Sequence, residues 1–122
     1  MTNLKLPTLT QAEALLTEAA HLNPGPWVAH SRVTAQAAQL IAAEISTLDP
    51  QAAYILGYLH DIGRREGVYG MRHVIDGYHF LIAQGFDDAA RISLSHSYPV
   101  PNAASGSADW DGTQEDFAFL QR

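Results

Sequence analysis

Six histidines stand in a chain of 122 residues that contains no cysteine. Four of them, His30, His60, His73 and His96, fall near the ends of segments with helical patterning. Imidazole is a common metal ligand and a proton carrier near neutral pH. His60 is followed directly by Asp61, whose carboxylate reaches differently from a ring nitrogen and can bridge two ions. Mixed nitrogen and oxygen ligands suit Fe, Mn, Co, Ni or Zn, so the residue types point to divalent metal chemistry without choosing the ion. The missing cysteines exclude disulfide scaffolds, cysteine zinc sites and thiol nucleophiles together.

The elements that must position these side chains read as helices. Thr10 before Gln11-Ala12-Glu13 has a capping-box pattern and predicts a first helix to about Leu22, stopped by Asn23-Pro24-Gly25-Pro26. A second helix is predicted over about Pro26 to Thr47, with Pro26 suited to its first turn. Asp49-Pro50 opens a third, to about Asp61, and Gly63, Gly67 and Gly70 mark a loop. A fourth runs from about Met71 to Gln84, closed by Gly85, and a fifth starts at Asp87 or Asp88 and ends before Pro99. Residues 99–112 read as a loop, and Thr113-Gln114-Glu115-Asp116 predicts a short terminal helix through Leu120. No stretch sustains a period of two, so the class is all-α: about five helices plus a C-terminal loop and short helix.

On these helices His30 lines up with Val33, Ala37 and Ile41, His60 with Leu56 and Ala53, and His96 with Ile92 and Ala89. Each set reads as an inward stripe. A single buried histidine is usually a hydrogen-bonded core residue. Several converging without a shared partner would leave polar groups unsatisfied, and a cation resolves that. His73 lies near the start of the fourth helix, one turn before Gly77, which would let a neighbouring helix or ligand approach. His79 falls on another face, beside Tyr78 or in solvent, and His21 suits the C-terminal dipole of the first helix. Asp61 has a plainer alternative role as the cap of the next turn.

Thirteen acidic against seven basic residues give a net charge of −6. No basic patch stands out, so nucleic acid is not expected as a partner. A phosphorylated substrate would need local positive charge. Arg64 and Arg65 follow the His-Asp pair and Arg72 precedes His73, which makes them candidates to grip phosphate. Asp76 is the candidate general acid, while Trp27 and Trp110 read as packing. Apolar residues at 47% and charged residues at 16% fit one folded domain rather than disorder. The first residues lack a signal-peptide layout and no apolar run is long enough for a membrane span. The expectation is a soluble, cytoplasmic protein.

Leu59-His60-Asp61-Ile62-Gly63 resembles the HDIG motif of the HD-domain superfamily of metal-dependent phosphohydrolases. His30 resembles its upstream histidine, Arg72-His73-Val74-Ile75-Asp76-Gly77 its later histidine-plus-glycine element, and Ser95-His96-Ser97 its next histidine. The resemblance covers about residues 26–98. It implies a helical bundle around one or two divalent ions (Fe, Mn, Co, Ni, Zn or Mg), with His30, His60 and Asp61 on the first. His73 and His96 would hold the second, with Asp61 bridging. The pattern adds a distal aspartate, for which Asp109, Asp111 and Asp116 are the candidates. The expected layout is one domain over 1–122 that stops short of the family's C-terminal helices. The implied activity is hydrolysis of a small phosphomonoester or nucleotide by a metal-activated water, with Asp61, Arg64 and Arg72 as catalytic candidates. Two alternatives are a catalytically impaired metal- or nucleotide-binding regulatory module and a di-iron oxygenase. Apolar area left exposed by a shortened bundle would favour a homodimer.

Overall fold

A computed structural model describes residues 5–67 and 72–95. It contains helices α1 (Leu9–Leu22), α2 (Pro26–Ala43), α3 (Pro50–Leu59), α4 (His73–Ala83) and α5 (Asp87–Ser95), with a short 3₁₀ helix at Ile62–Glu66 between α3 and α4. Among the described residues there is no strand. No helix there is long and apolar enough to cross a membrane. The expected loop at 99–112, the terminal helix and Trp110 lie outside the described residues.

Local chemistry explains most boundaries. The Asp49 side chain accepts hydrogen bonds from the Gln51 and Ala52 amides, and Pro50 takes the first turn of α3. Gly85 follows α4 at φ +84°, a left-handed conformation that suits glycine. The start of α1 and the end of α2 are among the boundaries that differ from expectation. The cap of α1 is Thr8, not Thr10: Thr8 and Gln11 close the reciprocal box, and the helix gains Leu9, which packs on the core. α2 ends at Ala43, not Thr47, because the amides of Ile45 and Leu48 turn back three residues, to the Ala42 and Ile45 carbonyls. Ser46 and the β-branched Ile45 and Thr47 are weak helix formers there.

The core joins Leu16 of α1, Trp27 and Val28 of α2, Ile55 and Leu59 of α3, Ile62, and Leu81 of α4. α2 and α3 pack at close range. An added Cβ on Gly57 would stand 2.8 Å from the Ala35 Cα. This contact selects the buried face of α2: Trp27, Val28, Ser31, Ala35 and Ala42. The stripe through His30, Val33, Ala37 and Ile41, expected to face inward, instead faces out, with Val33 and Ile41 both more than 60% exposed. α2 is apolar on both faces, and the close approach to Gly57 is made at the small Ala35.

α4 docks on the 3₁₀ helix with almost no clearance. A Cβ on Gly63 would overlap the His73 carbonyl, and one on Gly77 would overlap the Ser93 hydroxyl of α5. The buried Ser93 hydroxyl donates to the Val74 carbonyl at 3.1 Å, tying α5 to α4. Gly77 therefore admits a helix, as its place one turn after His73 suggested.

Candidate metal centre

His60 is the C-cap of α3, just past Leu59 and short of the expected end at Asp61, and the chain leaves helical geometry at Asp61, φ −109° and ψ 16°. Adjacent helical side chains diverge by ~100°. The break lets the ring and the carboxylate aim at one place. The Asp61 side chain makes no capping bond to the turn it precedes, so the plainer capping role does not hold.

Asp61 Oδ2 lies 3.4 Å from His60 Nε2 and 3.7 Å from His30 Nε2. The two Nε2 atoms are 3.2 Å apart. On the other side of the carboxylate, Oδ1 lies 3.0 Å from His73 Nε2. His60 Nδ1 donates to the Gly57 carbonyl at 2.6 Å, since a carbonyl can only accept. In the neutral ring this puts the lone pair on Nε2, facing the cluster. Such a carbonyl partner is the usual second support of a metal-binding imidazole.

The donor set fits a cation. His30, His60 and Asp61 offer ligand atoms all within 4.8 Å of one another. Donors sharing one ion at ~2.1 Å stand about 3.0–3.4 Å apart in octahedral or tetrahedral geometry. The separations around Asp61 Oδ2 and the two Nε2 atoms are close to that range. Two imidazoles and a carboxylate suit a first-row transition ion better than a calcium ion, which prefers oxygen.

Burial is uneven. The side chains of His60, Asp61 and His73 are 11%, 5% and 2% exposed, whereas His30 is 59% exposed. His30 thus joins from the rim, on the outward face of α2, and not from the core as its stripe suggested. His96, Asp109, Asp111 and Asp116 lie outside the described residues. His79 is exposed and stands edge-on to Tyr78 at 5.5 Å. His21 is exposed at the end of α1, with Nδ1 2.9 Å from the Thr17 carbonyl.

The three arginines separate. Arg64 Nε lies 3.5 Å from Asp61 Oδ2, at the edge of the cluster. Arg65 turns away: it pairs with Glu18 of α1 and lies over the Phe80 ring at 4.0 Å. It fastens the 3₁₀ helix rather than facing the cluster. Arg72 is mostly exposed and pairs with Asp76 at 3.3 Å. Sequence reasoning missed Asn23 and Gly57. The Asn23 amide donates to the Arg64 carbonyl at 2.7 Å, and the Trp27 indole donates to the Asn23 carbonyl at 2.8 Å. Together they clamp the turn that carries Arg64. A glycine inside a helix, three residues before a histidine, was the available signal for Gly57.

The family model described as HD domain matches residues 27–116, most of the chain. No curated protein and no solved structure matches it significantly.

Proposed function

The chain belongs to the HD-domain family, whose members are mostly metal-dependent hydrolases, and on that premise we propose that it hydrolyses a small phosphomonoester or nucleotide. The observation that carries this reading is the placement of Asp61, with Oδ2 toward His30 and His60 and Oδ1 toward His73. One carboxylate between the His30 and His60 rings on one side and the His73 ring on the other would suit two adjacent cations. His30, His60 and Asp61 would hold the first ion. His73 would hold a second together with His96. A bound divalent ion supplies a water of lowered pKa and neutralises phosphate charge.

The chain's own residues do the rest. The Gly57 carbonyl holds the His60 proton on Nδ1, away from the cluster. Gly63 and the His73 backbone, in contact, fix the separation of the two halves of the site. Arg64 is the guanidinium poised to orient a phosphate oxygen, since its Nε already stands beside Asp61. Arg72, exposed beside His73 in the chain and paired with Asp76, is the second candidate to grip a phosphate. Because Arg64 stands beside Asp61 and Arg72 pairs with Asp76, the positive charge that offsets the −6 of the chain would come from the bound ions.

The test is a phosphatase and nucleotidase panel with Mn²⁺, Mg²⁺, Co²⁺ and Fe²⁺, on protein of measured metal content. Metal-dependent release of phosphate, abolished in Asp61→Asn, is expected. No turnover by fully metallated protein would overturn the reading in favour of a binding module. Oxygen consumption by the iron form would favour an oxygenase.

A further inference from the structure

We propose that a second copy of this chain docks on the outward face of α2, antiparallel, and brings its Glu44 carboxylate to His30. The metal role of Glu44 rests on the metal-centre reading above; the docking does not. Val33, Leu40 and Ile41 are 63%, 70% and 62% exposed, a concentration of large apolar side chains on one helix. Exposed patches of that kind mark interaction surfaces.

The stripe is symmetric about Ala37. Val33 and Ile41 stand four residues to either side, and His30 and Glu44 seven residues to either side. All lie on one face, because offsets of four and seven nearly complete whole helical turns. A two-fold axis through Ala37 therefore sets Val33 of one copy on Ile41 of the other, and His30 on Glu44. Such self-complementarity is what an isologous dimer needs. Alanine on the axis permits a close, shallow crossing.

Charge permits a second copy at this face. Two chains of net charge −6 repel each other. α2 carries no acidic residue from Pro26 to Ala43 and one basic residue, Arg32. The first acid after it, the exposed Glu44, is the one that meets His30 or its cation. His30 is also the one member of the cluster left open, and a partner's carboxylate would close that side. A single helix pair is a small interface, so association in the micromolar range is expected.

The absence of cysteine makes the test direct. Ala37→Cys should oxidise to a covalent dimer in high yield, as should a mixture of Val33→Cys and Ile41→Cys chains. Gln51→Cys, exposed at the start of α3, should not. Sedimentation of the unmodified chain should show a dimer that Ile41→Glu converts to monomer. Glu44→Gln should leave the dimer intact while weakening Mn²⁺ binding by about tenfold or more. Monomers at every concentration would overturn the docking, as would an Ala37→Cys thiol shielded from reagents within a monomer, covered by its own chain. If the unmodified chain binds no Mn²⁺, the metal centre and the metal role of Glu44 both fall, and the cross-link alone decides the docking. Mn²⁺ binding unchanged by Glu44→Gln in a proven dimer would overturn the metal role of Glu44 alone.

Discussion

The two faces of α2 carry similar residues and meet opposite environments. Trp27, Val28, Ser31, Ala35 and Ala42 are buried against α3, while Val33, Leu40 and Ile41 on the outward face stay largely exposed. The cluster sits where the buried side gives way to the open one. His60, Asp61 and His73 belong to the joint of α3, the 3₁₀ helix and α4, where glycines bring backbones into contact. His30 belongs to the rim. Rigid parts thus fix three of the four donors, and the fourth is the adjustable one. The difference teaches that burial, more than residue type, separates scaffold from access in this site.

Substitutions can break that contrast. The largest effect is expected at the joint: Gly63→Val would drive a side chain into the His73 backbone, costing about 3 kcal/mol or more, read as loss of a cooperative thermal transition. Retained stability would show that α4 can shift away from the turn. Next come the histidines, compared in metal-free protein. His60→Ala removes a buried hydrogen bond to Gly57 and should cost about 1–3 kcal/mol in urea unfolding. His30→Ala should change stability by less than about 0.5 kcal/mol while lowering metal affinity as His60→Ala does. Equal destabilisation by both would erase the distinction between joint and rim.

Much of this arrangement was legible in the sequence because it rests on local chemistry. Asp49-Pro50 and Gly85 are signals read by neighbouring backbone groups, and they mark the ends of α3 and α4 as expected. The convergence of His60 and Asp61 follows from the helix ending between them, which Gly63 foretold. The orientation of α2 was not legible. Both apolar faces carry an alanine, Ala35 and Ala37, and what selects between them is a partner, Gly57, more than twenty residues away. Arg65 was misread for a similar reason, since Glu18 and Phe80, which hold it, come from distant helices. At α1 two overlapping capping boxes compete, and the earlier one forms because Leu9 then reaches the core.

Smaller effects sharpen the account away from the site. Thr8→Ala should cost about 1 kcal/mol by opening the α1 capping box, seen as a lower urea midpoint at unchanged slope. Thr10→Ala should be close to neutral. Tyr54 stacks on Tyr58 at 5.3 Å, and desolvation, with Tyr58 and Glu13 adding to it, raises its phenol above the usual value near 10. A phenol raised on folding contributes stability that is present below its unfolded pKa and lost as pH rises through the folded one. Phenolate absorbance should therefore show a late-titrating tyrosine that disappears in Tyr54→Phe. Its persistence would place the shift on another ring.

His30, His60 and Asp61 converge on a place that could hold a divalent cation. Metal content per chain, measured after loading with Co²⁺ or Mn²⁺ and exhaustive dialysis, tests it most directly. At least one ion per chain should be retained, and little or none by Asp61→Asn of unchanged fold. A folded, unmodified chain that retains no ion would contradict it.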